Sequence, residues 1–213
     1  MSSKLKRDQI PANQAKNWRK SFKDEKGKTF NLSVSKIILE KETYLKLAGD
    51  SENRVRIYLG LEADKKEEKY ELCAFAVSAF LMGSGDVYAD YETPVFKLGK
   101  KNENYSDKTK EVIESIRRYR KWRSGELNPD DESADERQYI YPTAYLMTKF
   151  ELHEIFISQN KQAAEIDFGV SKTMNVMIYS NVAETRVEDY SSEVFDFGQP
   201  CPPACDERSI YNS

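Results

Sequence analysis

The chain has 213 residues, 39% hydrophobic and 12% aromatic, enough for one large domain or two small ones around a buried core. Its 33 basic residues against 36 acidic ones leave a net charge of -3, which argues against a global field for nucleic acid or an anionic membrane. The first residues lead into polar sequence without an apolar signal core, and no later run is long enough to span a bilayer. With three cysteines, too few for a disulfide framework, the expectation is a soluble cytoplasmic protein with no membrane partner.

Residues 1 to 9 are charged and expected to fray. Pro11, Ala15, Trp18 and Phe22 fall at helical spacing, so Ile10 to Lys23 reads as an amphipathic helix. Phe30 to Val34 alternates as a short strand, and Ser35 is placed to cap a helix running to Ala48, stopped by Gly49. Arg54-Val55-Arg56-Ile57-Tyr58-Leu59-Gly60 alternates branched apolar residues with polar or aromatic ones, which marks a half-buried strand. A charged turn joins it to Tyr70–Val77, so the two form an antiparallel hairpin, and the apolar run Leu72 to Val77 sets the second strand centrally in a sheet. Val87–Tyr91 and Pro94–Leu98 read as edge strands.

In the second half, Ser106 or Asp107 caps a helix through Ser124, closed by Gly125, and the acidic segment Glu126 to Glu136 is a loop. Tyr139–Met147 reads as a strand. Thr148-Lys149-Phe150-Glu151 is a capping box opening a helix to about Asn160. Residues 161 to 173 have no clear period, Met174–Ser180 is a strand, and Val194 to Phe197 a last short one.

The order helix, strand, capped helix, strand therefore occurs twice. Ala15, Trp18, Arg19 and Lys20 answer to Ile116, Tyr119, Arg120 and Lys121; Ser35-Lys36-Ile37 with Leu39 answers to Thr148-Lys149-Phe150 with Leu152; Val55, Ile57 and Tyr58 answer to Val176, Ile178 and Tyr179. The expected class is α+β, two diverged helix-strand-helix-strand units with antiparallel sheet. The units span residues 8–101 and 105–198, or form one compact domain, followed by a Cys/Pro tail at 199–213.

Three stretches carry a resemblance: the Ala15-x-x-Trp18 helix, the strand Val55 to Gly60, and Phe195-Asp196-Phe197-Gly198-Gln199-Pro200-Cys201-Pro202-Pro203-x-Cys205. Together they resemble a family of Bacteroidetes proteins of uncharacterised activity, marked by a Gly-x-Arg-x-Tyr strand and a Cys-Pro-Pro-x-Cys tail. Here Val55, not glycine, precedes the strand arginine, and residues from about 80 to 190 have no counterpart in the shorter members. The resemblance covers about half the chain and implies no activity.

Candidate chemistry is sparse. Cys201 and Cys205, held by a stiff diproline, suit a reversible disulfide or half of a zinc site, with Cys73 and His153 to complete it. Their spacing is not that of zinc knuckles or thioredoxin-like sites, so a structural or docking tail is the stronger reading, with no metal or cofactor expected. Arg117, Arg118, Arg120, Lys121 and Arg123 interleave with Tyr119 and Trp122, as phosphate contacts plus base stacking would need. A structural account competes: Glu111 and Glu114 lie on the same helix, and positive charge suits its C-terminal end.

Catalytic signatures fail. His153 is the lone histidine, no Gly-x-Ser-x-Gly elbow occurs, and Leu81 to Asp86 lacks the rest of a phosphate loop. Asp130, Asp131, Glu132, Asp135 and Glu136 read as a solvated acidic segment. The expected protein is non-catalytic, a structural or interaction subunit that self-associates or docks on a protein partner. The net charge disfavours nucleic acid. The segment Val194 to Cys205 is expected to pack on the body through Val194, Phe195 and Phe197.

Overall fold

The computed structural model describes residues 5–26, 28–50, 53–64, 69–83, 85–127, 132–182, 193–196 and 198–212. In chain order these form β1 (Gln9–Ile10), α1 (Ala12–Lys26), β2 (Ser33–Val34), β3 (Ile37–Glu40), α2 (Lys41–Ala48), β4 (Arg54–Asp64), β5 (Lys69–Leu81), β6 (Tyr88–Leu98) and β7 (Glu103–Asn104). The second half gives α3 (Thr109–Arg123), α4 (Ala134–Ile140), β8 (Ala144–Leu146), α5 (Lys149–His153), β9 (Ala163–Val170), β10 (Met174–Tyr179), β11 (Val194–Phe195) and β12 (Gln199–Cys201). Helix α5 continues through a π-helical turn, Glu154–Ser158, and Ile210–Asn212 makes a closing 3-10 turn. No helix among the described residues is long and apolar enough to cross a membrane.

The class is α+β with antiparallel sheets. One sheet runs β1-β11-β10-β9-β3 and the other β12-β8-β4-β5-β6-β7, with β2 added in parallel to β5. Alternation decides what each strand buries. Val55, Ile57, Leu59 and Leu61 of β4, with Leu72, Ala74 and Ala76 of β5, share one core with Ala164, Ile166 and Phe168 of β9 and Val176 and Ile178 of β10. The opposite faces are covered too: Tyr58, Cys73, Phe75 and Val77 meet Val112 and Ile116 of α3, while Met177 meets Ala15 of α1. The β4 strand is thus buried on both faces although its sequence alternates.

Several local expectations change. Ile37 to Glu40 is strand, because Ile37, Ile38 and Leu39 are all buried and pair with Ile166, Glu165 and Ala164 of β9; the helix begins only at Lys41. Tyr139 lies in helix α4 and the strand shrinks to Ala144–Leu146. The two expected edge strands are one, β6, running through Pro94. The residues without a clear period contain β9, which lies between β10 and β3 in its sheet. Thr148 does cap α5: its Oγ1 accepts from Glu151 N at 3.4 Å, and Glu151 Oε1 accepts from Thr148 N at 3.0 Å.

The repeated order is visible in the topology, with a register the sequence did not show. The halves read α1-β3-α2-β4-β5-β6 and α3-β8-α5-β9-β10-β11, and they exchange strands: β3 pairs with β9, and β8 with β4. Ile37 sits opposite Ile166 as Tyr145 sits opposite Ile57, so β4 corresponds to β9 and the strand Met174 to Tyr179 answers to β5. Glycine marks both helix crossings. A Cβ on Gly60 would lie 2.5 Å from Ser115 Oγ of α3, and one on Gly169 would lie 2.7 Å from Trp18 Cβ of α1. Gly169→Ala and Gly60→Ala should therefore each destabilise by ~1–3 kcal/mol through overpacking, measured by urea unfolding. A neutral effect at both sites would show that the helices do not rest on these glycines.

Candidate functional site

The most elaborate polar structure lies on the α3 side of the second sheet, at Arg56. Its position on β4 points away from the central core, and it is 1% exposed. Arg56 Nε donates to Asp90 Oδ1 of β6 at 2.6 Å, with both side chains buried to the same degree. Its other nitrogens donate to Tyr88 O at 3.0 Å and to Ala204 O. Tyr58 donates its hydroxyl to the second carboxylate oxygen of Asp90. Burial pushes the Asp90 carboxyl above the ordinary carboxylate range, and Arg56 and Tyr58 pull it back; burial raises the Tyr58 hydroxyl as well.

Residues 199–212 lie over this centre as a strap running from one side of the sheet to the other. It starts as the edge strand β12, paired with β8, with Cys201 O accepting from Thr143 N at 2.9 Å. Cys201 and Cys205 are joined by a disulfide, and Ala204, inside that loop, supplies the carbonyl that Arg56 holds. Asp206 Oδ2 then accepts from Asp90 N at 2.9 Å, and Tyr211 packs on Tyr58 at 5.6 Å and donates to Glu92 O. Main-chain groups of Tyr88, Asp90 and Glu92, alternate residues of β6, are thereby taken up along a stretch with no further strand beside it among the described residues. Such an edge would otherwise be open to strand addition.

The expected cationic stripe serves the same packing. Arg120 Nη2 donates to Tyr211 O at 2.8 Å and to Asn212 Oδ1 at 2.5 Å, Arg118 Nη1 to Leu61 O at 2.7 Å, and Arg123 Nε to Tyr141 O at 2.5 Å. Arg117 and Lys121 are exposed. Tyr119 and Trp122 are 0% and 4% exposed, so neither ring is available to stack on a base. Val194, Phe195 and Cys201 are buried, as the packed tail requires, while Phe197, Asp130 and Asp131 lie outside the described residues. His153 is exposed on α5, and among the described residues no group of three or more His, Cys, Asp or Glu is arranged to hold a metal ion.

A second feature is a cleft of about 490 Å³ at the far end of the same sheet face, lined by Glu62, Glu71, Cys73, Lys97 and the 98–101 segment. It opens where β2 and β6 part along β5: β2 pairs at Glu71 and Leu72, and β6 takes over at Ala74. Lys97 Nζ lies 2.6 Å from each carboxylate oxygen of Glu62. Burial pushes the Cys73 thiol up to about 12, so it is protonated and a poor nucleophile at neutral pH.

The third is apolar and exposed. Leu81, Met82, Val87 and Tyr91 lie near the end of the β5–β6 hairpin, 51%, 37%, 58% and 46% exposed; the Phe80 and Tyr91 rings are 4.5 Å apart on one face, and Leu81, paired with Tyr88, is on the other. Comparison with protein-family models, with curated protein sequences and with solved structures returns no match.

Sequence reasoning reached Cys201, Cys205 and Arg120 but missed Arg56, Asp90, Glu62, Glu71 and Lys97, which come together only through strand register. The paired outward arginines of β4 were the available signal. If Arg56 anchors the strap, Arg56→Met should cost ~3–5 kcal/mol by leaving Asp90 buried and uncompensated, and adding Asp90→Leu should recover much of that loss in urea unfolding. Additive losses would contradict the pairing.

Proposed function

We propose that the protein is a non-catalytic interaction subunit that associates through the β5–β6 tip, with a second copy of itself or with another protein. The carrying observation is the tip: four large apolar side chains left exposed near the end of one hairpin are costly to leave in water and typical of contact surfaces. Catalysis has little support. The cleft thiol is protonated, its lysine is tied to Glu62, and the Arg56–Asp90 centre is covered by the strap. Nucleic acid is disfavoured by the net charge of -3 and by the burial of Tyr119 and Trp122. The Cys201–Cys205 disulfide fits an oxidising compartment better than the reducing cytoplasm that the cysteine count suggests.

Light scattering across the micromolar range tests this reading. The wild-type mass should exceed the 24.7 kDa of one chain, and Leu81→Ser with Val87→Ser should return it to that value without lowering the melting temperature. A wild-type monomer throughout, with no protein retained in a pull-down that the double variant loses, would contradict it.

A further inference from the structure

The charges of the cleft are unbalanced in a way that specifies a ligand. Glu62 and Glu71 face one another directly across β4 and β5, and Glu103 of β7 faces Lys97 of β6. Like charges placed directly opposite destabilise a sheet unless something compensates them. Lys97 is committed to Glu62. Among the described residues Glu71 receives only the hydroxyl of Ser35, and Glu103 has no ion pair. The neighbouring Lys36 is committed elsewhere, with Nζ 3.2 Å from Glu165. Glu62 and Glu71 therefore share one ammonium, Lys97, at the floor, while Glu103 is exposed like Lys100 and Lys101.

The mouth has the opposite excess. Lys100 and Lys101 line the cleft and form no ion pair among the described residues. The lining also includes Leu72 and Leu98, which belong to the central core. The volume, about 490 Å³, lies within the range of small-molecule sites.

We propose that this cleft binds a small zwitterion of amino-acid to dipeptide size, its primary ammonium on Glu71 beside the Glu62–Lys97 pair and its acid group at Lys100 and Lys101. An ammonium supplies the counter-charge that Glu71 lacks among the described residues and is held by charge-assisted hydrogen bonds. A simple anion would meet two carboxylates at the floor, and a simple amine would leave the mouth lysines unanswered. The Cys73 thiol at the floor stays protonated and takes no covalent part. This inference does not depend on association through the tip.

Isothermal titration of the full chain with 6-aminohexanoate tests it, with hexylamine and hexanoate as single-charge probes. Saturable binding of 6-aminohexanoate is expected, with hexylamine weaker and hexanoate silent. Glu71→Gln, which keeps the acceptor for Ser35, should weaken it at least about tenfold, the worth of one charge-assisted contact. Lys100→Ala with Lys101→Ala should reduce 6-aminohexanoate to the level of hexylamine, and melting temperatures should confirm that both variants fold. No saturable binding up to about 10 mM, binding unchanged by Glu71→Gln, or hexylamine as tight as 6-aminohexanoate would each overturn the proposal.

Discussion

A carboxylate and a guanidinium taken together out of water are tolerated only when almost every one of their hydrogen bonds is met inside the protein. Arg56 and Asp90 place that demand on the outer face of the second sheet, and the chain meets it from three directions. Tyr58 on the same strand completes the carboxylate, the β6 main chain receives one guanidinium nitrogen, and the strap brings Ala204 O to another, while its Asp206 carboxylate accepts from the Asp90 main-chain N. The disulfide closes the loop that presents Ala204, so the position of that carbonyl depends on residues 201 and 205 being joined. Removing either charge leaves the other without compensation, and the strap and the β6 edge lose a common anchor.

The duplicated plan shows why this centre occurs once. In each half a helix rests on a strand glycine, Gly60 or Gly169, and a short strand crosses into the other half's hairpin. The outward positions of the two hairpins differ in charge. Arg56 and Tyr58 of β4 stand where β9 carries Glu165 and Asp167, and those acids are met by ordinary partial ion pairs to Lys36 and Arg19. The first half also carries the long β6 where the second has the two residues of β11. Its longer hairpin supplies both Asp90 and the exposed tip, so the features that distinguish the halves are those on which a functional reading rests.

Much of the α+β plan was legible because it rests on short-range signals. The alternation of β4, the capping box at Thr148 and the apolar run of β5 each act within a few residues. Where tertiary pairing overrides local pattern, legibility stopped. Ser35 followed by Ile37, Ile38 and Leu39 resembles a capped helix start, yet those apolar residues gain more by pairing with β9 while being covered on both sides. The repeat was visible as an order of elements, but the Val-x-Ile-Tyr match pointed to the wrong strand, since the glycine contacts that fix the correspondence are made with helices distant in sequence. Alternation also implied a solvated face for Arg54 and Arg56, because a sequence does not say that a tail will lie across it. The cleft was beyond reach: Glu62, Glu71 and Lys97 belong to three strands and meet only through register.

The central claim is that the Arg56–Asp90 pair holds the strap and the β6 edge as one unit. Amide hydrogen exchange of wild type and Arg56→Met, under native conditions, measures it directly. The account predicts that protection falls together at Asp90 and at the strap amides of Ala204 and Cys205, while β9 and β10 keep theirs. Unchanged protection of the strap in Arg56→Met, or a uniform loss across both sheets, would contradict it.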